Sequence, residues 1–182
     1  MEESELNLVY CKVNKALREY LLGIRGGSDL LYMDYKSPLW VMVKSRLRPV
    51  PEHYVPQLPG PHPDLIRIVI PSTTHKMRKI FNLQADRIIE GNPLFRHYLD
   101  EQGQKDVEEL LMKDFKQVFR SYMTGAVTCN TELEIKNAID RFCEVHNLEM
   151  DAITYEMLRK DWYRYRQRET KSEPAPVVKE NF

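Results

Sequence analysis

The spacing of apolar residues changes period along the chain. Leu6 to Val13 alternates in part and carries two valines and a tyrosine, which predicts a strand. Ala16, Leu17, Tyr20 and Leu21 then recur at helical spacing, so Lys15 to Leu22 reads as a helix. Gly23, Gly26 and Gly27 break it, and Leu30 to Met33 suits a second short strand. Ser37-Pro38 opens a further helix, because Ser caps and Pro fits the first helical position. That helix is expected to run through Leu47 and stop before Pro49. Leu65-Ile-Arg-Ile-Val-Ile70 is apolar enough for a central strand, ended by Pro71.

Beyond residue 72 the period turns helical. One helix or two are expected over Met77 to Ile89, a turn at Gly91-Asn92-Pro93, and a short helical segment over Leu94 to Leu99. Gln104 to Met123 is the strongest helix. Val107, Leu110, Leu111, Phe115, Val118, Phe119, Tyr122 and Met123 make one stripe, and Gly125 should close it. Thr131-Glu-Leu-Glu134 fits a capping box for a helix burying Ile135, Ala138, Ile139, Phe142 and Val145. After a break at His146-Asn147-Leu148, a last helix is expected from about Asp151, a candidate cap, to about Arg168. Ile153, Met157, Leu158, Trp162 and Tyr165 should line its inner side.

These elements define an α+β protein: a small mixed N-terminal sheet with helices, then an all-helical C-terminal bundle. Six prolines between 49 and 63 suggest an extended connector. The expected organisation is a small α/β unit over 1–48, the proline-rich connector over 49–63, a strand-plus-helical unit over 64–168, and a disordered tail over 169–182.

Composition narrows the functional classes. The 182 residues carry 27 Lys+Arg against 27 Asp+Glu, so no global field favours an anionic partner, and any such partner must meet a local patch. No apolar run approaches the roughly 20 residues that span a bilayer. The acidic start, Met-Glu-Glu-Ser-Glu, is unlike a secretory leader, so a cytoplasmic location without membrane partners is expected. Cys11, Cys129 and Cys143 are odd in number and widely spaced, which suits buried reduced thiols rather than a disulfide framework.

Two local clusters stand out. Residues 159 to 171 hold six cations against two acids, a net of +4, interleaved with Trp162, Tyr163 and Tyr165. Lys160, Arg164, Arg166, Arg168 and Lys171 are the candidate nucleic-acid contacts there, since cations beside aromatic rings suit phosphates and bases. Cations at a helix C-terminus also suit the helix dipole, so a solvated helix end is the plainer alternative. Lys44, Arg46 and Arg48, with Lys36, form a second cluster in a stretch without acids, and they would extend the footprint.

The two helices over 131–146 and 151–168 have helix-turn-helix proportions. Cys143 supplies the small residue, Asn147 the flexible turn position, and Leu148 and Ile153 the apolar locks; His146 falls where an apolar residue is expected. Residues 131 to 158 carry seven acids against two bases, a net of −5, which opposes insertion of the second helix into a groove. An ordinary helical hairpin stays open as the alternative.

Val9-Tyr-Cys-Lys-Val13 with Leu17-Arg-Glu-Tyr-Leu21, and Ile139-Asp-Arg-Phe142 with Ile153-Thr-Tyr-Glu-Met-Leu-Arg-Lys160 and Tyr163-Arg-Tyr-Arg166, together resemble short uncharacterised proteins of bacterial prophages and mobile elements. That resemblance implies a DNA-associated protein with a helix-turn-helix-like end.

Little in the sequence points to catalysis. His53, His62, His75, His97 and His146 do not pair at metal-ligand spacing with each other or with a cysteine. Gly23-Ile-Arg-Gly-Gly27 lacks the Lys-Ser/Thr ending of a phosphate-binding loop. Ser72 or Thr73 before His75 suits a helix cap. The expectation is therefore a non-enzymatic protein without metal or cofactor. Double-stranded DNA is the leading partner, and a protein partner or a homo-oligomer the alternative.

Overall fold

The computed structural model describes residues 7–34, 36–49, 64–70, 97–130 and 132–172. Two compact units divide the chain, Met1–Lys113 and Asp114–Phe182.

In the first unit, β1 (Asn7–Lys12) and β2 (Leu30–Tyr32) flank β4 (Leu65–Ile70) in a three-stranded sheet. β1 runs antiparallel to β4, with Val9 opposite Ile68, and β2 runs parallel to it, with Leu31 opposite Ile68. The sheet is mixed, and Leu65 to Ile70 is its central strand, as its apolar run implies. Ile66, Ile68, Val69 and Ile70 are all buried. Arg67 is tolerated on this strand because Asp29 takes its guanidinium at 2.8 and 2.6 Å. The same pair ties β2 to the strand beside it, since the Arg67 backbone N–H donates to the Asp29 carbonyl at 3.0 Å.

Helix α1 (Lys15–Gly23) buries Ala16, Leu17, Tyr20 and Leu21. Asn14 caps it, its side chain accepting from the Leu17 backbone N–H. The turn that follows holds Gly26 and Gly27 at φ 61° and 89°, where a β-carbon is strained. α2 (Pro38–Arg46) starts as expected, with Ser37 accepting from the Trp40 N–H and Pro38 in the first turn.

Several boundaries differ from the sequence reading. Leu47 to Pro49 forms β3, antiparallel to β5 (His97–Leu99), so 97–99 is a strand and not part of a helical segment. The central strand β4 pairs with strands drawn from residues 7–32, so the sheet crosses the proposed proline-rich boundary and the compact unit extends to Lys113. The last helix runs to Ser172, so residues 169–172 of the expected disordered tail are helical; the connector beyond Pro49, the helix expected over 77–89, the turn at 91–93 and the rest of the tail lie outside the described residues.

α3 (Glu101–Cys129) is longer at both ends than the periodicity implied and passes through Gly125. A β-carbon at Gly125 would meet nothing within 4 Å, so this glycine has no steric role. Gly103 differs: a β-carbon there would lie 3.0 Å from Asp100 Oδ1 and 3.1 Å from Arg46 Cβ.

The second unit contains the later turns of α3, with α4 (Ile135–Val145) and α5 (Ala152–Ser172). Phe115, Phe119 and Met123 repeat every four residues on α3 and are fully buried. Phe142 of α4 neighbours the two phenylalanines, with ring centroids 6.1 Å from Phe115 and 5.0 Å from Phe119. Val118, placed in the stripe by sequence, is exposed, as is Val145. Helix α4 begins with Glu134 as its N-cap and no side-chain cap bond, so Glu134 precedes the helix rather than taking the third helical position of a capping box; Thr131 lies outside the described residues.

Candidate nucleic-acid interface

The site depends on how α5 is presented. α4 ends where Asn147 takes φ 53°, the left-handed conformation expected of it. That reversal lets the Leu148 N–H donate to the Cys143 carbonyl at 2.9 Å, and Leu148 and Cys143 are both buried. Asp151 then caps α5, its Oδ1 accepting from the Thr154 N–H at 2.7 Å. Three of the expected turn positions thus behave as assigned. Ile153 does not: it is 82% exposed, while Thr154, one position on, is buried. The second helix is therefore rotated by about one residue, roughly 100°, from the seating that an apolar lock at 153 would give.

The inner side of α5 is Thr154, Leu158, Asp161 and Trp162. Asp161 is anchored on this side. Its carboxylate accepts two hydrogen bonds from Arg120 of α3, at 2.8 and 2.7 Å, and Lys116 Nζ stands 3.7 Å away. The bond to Asp161 raises the Arg120 pKa. Trp162 stacks on Tyr165 at 5.8 Å between centroids, and the Arg120 guanidinium lies 5.4 Å from the Tyr165 ring. The Trp162 ring is core, as its place beside Leu158 implied.

With that side fixed, the cations of α5 turn outward. Lys160, Arg164, Arg166 and Arg168 are exposed. Arg164 and Arg168 make no ion pair among the described residues. Lys160 Nζ is 3.8 Å from Glu156 Oε2 with 63% of its side chain exposed, which is a loose surface contact. The firmer partner of Glu156 is Arg159, which donates from Nε and Nη2 at 3.0 Å each. That bond lowers the Glu156 pKa and raises that of Arg159. Asp161 and Glu156 are thus satisfied by Arg120 and Arg159, and Glu169 is the further acid within the cluster. The Lys171 side chain is outside the described ones.

The second cluster fares differently. Arg46 is paired with Asp106, and Arg48 with Asp100 at 3.3 Å. Asp100 also accepts from the Gly103 N–H at 2.7 Å; that bond, followed by Arg48, lowers its pKa. These carboxylates are far along the sequence from the cations, so the acid-free stretch around Lys44 gave no sign of them. Lys44 is half-buried and has no ion pair among the described residues. Arg46 and Arg48 thus tie β3 to the start of α3, with side chains that remain 41% and 53% exposed.

Other chemistry is sparse. Cys11 is buried and its thiol is pushed up to about 12, by burial first and the Glu108 charge second, which makes it a poor nucleophile. Cys143 is buried as expected, whereas Cys129 is exposed. Among the described residues no three His, Cys, Asp or Glu side chains are grouped to hold a metal. A cleft of about 630 Å³ in the first unit is lined by Lys12, Asn14, Asp64, Gln104, Lys105 and Glu108 among others. Gln104 there accepts from the Lys12 N–H, and Glu108 from the Asn14 N–H, so both side chains are used in holding β1 and α1 to α3. No described helix is long and apolar enough to cross a membrane.

Comparison with known proteins gives no match: no family model, no curated protein and no solved structure is similar to this chain at a significant level.

Proposed function

We propose that the protein is a non-enzymatic nucleic-acid-binding accessory protein, acting in the cytoplasm, that holds phosphates on the outer face of α5. The observation that carries this reading is that Arg164 and Arg168 stand exposed and make no ion pair among the described residues, while Asp161 and Glu156 of the same helix are engaged by Arg120 and Arg159. Lys160 and Arg164 are four residues apart, as are Arg164 and Arg168, so the three form one row rising about 6 Å per step. Arg166 is exposed too but lies on the opposite side of the helix from that row. Arg46 and Arg48 take no part, because Asp106 and Asp100 hold them. Lys44 remains a peripheral candidate. The resemblance to prophage and mobile-element proteins agrees with a DNA-associated role.

The binding mode is backbone contact rather than groove reading. The leading end of α5 carries Glu149, Asp151 and Glu156, which phosphates repel, and its cations lie in the later turns. The test is fluorescence anisotropy on a DNA with a duplex stem and an unpaired tail. Raising the salt from about 50 to 200 mM should weaken binding on the order of a hundredfold if about four phosphates are contacted. Arg164→Glu with Arg168→Glu should weaken it further at low salt. Affinity indifferent to both changes dismisses the reading.

A protein-interaction role is supported by one different observation. Val145, Met150 and Ile153, at the α4–α5 corner, are all exposed, and Ile153 is so at 82%. Light scattering at high concentration tests the homo-oligomeric form of that reading, and a strict monomer counts against it.

A further inference from the structure

The outer face of α5 carries a ring as well as cations. Tyr163 is 45% exposed, whereas Trp162 is buried and Tyr155 and Tyr165 are half-buried. On a helix its surface neighbours are the residues three and four positions away. For Tyr163 these are Arg159, Lys160, Arg166 and Gln167, so three of the four are cations and the fourth is an amide. The Arg159 guanidinium lies 5.8 Å from the ring centroid. Arg159 is itself held by its two bonds to Glu156, so one side of the ring has a fixed neighbour. A half-exposed aromatic ring amid cations has the makeup of a stacking platform.

We infer that this face takes an unpaired nucleic-acid strand, with a base stacked on Tyr163 and phosphates on Lys160, Arg164 and Arg168. The inference rests on the nucleic-acid reading above and specifies the form of the partner. A duplex keeps its bases stacked on one another and offers Tyr163 no free face. A single strand offers a base face and a flexible backbone together. The row begins beside the ring at Lys160 and turns away from it towards Arg168, about 12 Å further along the helix, so a strand whose base stacks on Tyr163 would carry its next phosphates along the row. The acids just before α5, Glu149 and Asp151, leave a duplex groove no compensating advantage.

The experiment uses the full chain and three labelled probes: an oligothymidylate, a duplex of equal length, and an equally long abasic deoxyribose-phosphate strand. The oligothymidylate should bind about tenfold tighter than either of the other two. Tyr163→Ala should remove about that tenfold from the oligothymidylate and leave the abasic strand unchanged. Tyr163→Phe should bind as the parent does, since the ring is kept. Circular dichroism checks that the variants fold, which the exposure of Tyr163 favours. Equal affinity for duplex and single strand, or a Tyr163→Ala loss shared by the abasic strand, overturns the inference. If Arg164→Glu/Arg168→Glu still weakens all three probes in that case, the phosphate-binding reading stands without it. No binding to any probe overturns both.

Discussion

Asn147 sits where α4 reverses into the connection to α5, at φ 53°. A residue with an ordinary side chain loses about 1–2 kcal/mol in this conformation, and Gly does not. Asn147→Ala should therefore lower the thermal midpoint by several degrees, whereas Asn147→Gly should keep it, as differential scanning calorimetry would show. Next to it, His146 packs its ring 4.5 Å from Phe142, and burial lowers its pKa below the ordinary 6.5. The unfolded chain then binds the proton more readily than the folded one. Stability attributable to this residue is full above 6.5 and is lost as the pH falls through the lower folded value. Urea denaturation at about pH 7 and pH 5 should show a smaller loss for His146→Phe than for the parent. Asn147 was legible in the sequence because a residue that tolerates φ > 0 between two amphipathic segments has few other uses. The exposure of Ile153 was not legible, because residues 153 and 154 both fit the helical period to within one position.

At the scale of elements, α5 is tied to α3 by a contact between residues 41 positions apart. Asp161 is 8% exposed and accepts both bonds of Arg120, with Lys116 nearby. Asp161→Ala should cost about 2–3 kcal/mol, seen as a lower urea midpoint, because two cations lose their carboxylate in a partly buried place. In the sequence, Asp161 reads only as an acid diluting a basic cluster. The same limit hid the partners of Arg46 and Arg48. β5 was misread for another reason: three residues are too few to display a period of two, and His97 to Leu99 becomes a strand through its pairing with β3. Gly125 did not end α3, since one glycine costs about 1 kcal/mol and the apolar stripe through Phe119 and Met123 already holds that turn in place. The central strand, α1, α2 and the capped starts at Ser37 and Asp151 were legible, because each rests on local chemistry of adjacent residues.

Across the whole molecule, equal numbers of acids and bases conceal an uneven distribution. The sequence separates an acidic 131–158 from a basic 159–171, and folding changes how much of each cluster stays open. Carboxylates claim Arg46, Arg48, Arg120 and Arg159, while Arg164 and Arg168 stay outward. The proposed function rests on that remainder. Salt dependence tests it most directly: the affinity of the full chain for a single strand, measured across salt concentrations, beside that of Arg164→Glu/Arg168→Glu. The account predicts a linear fall of log K with log salt, with a slope shallower in the variant by about 1.4, or about 0.7 for each phosphate contact removed. Parallel lines for the two proteins would contradict it.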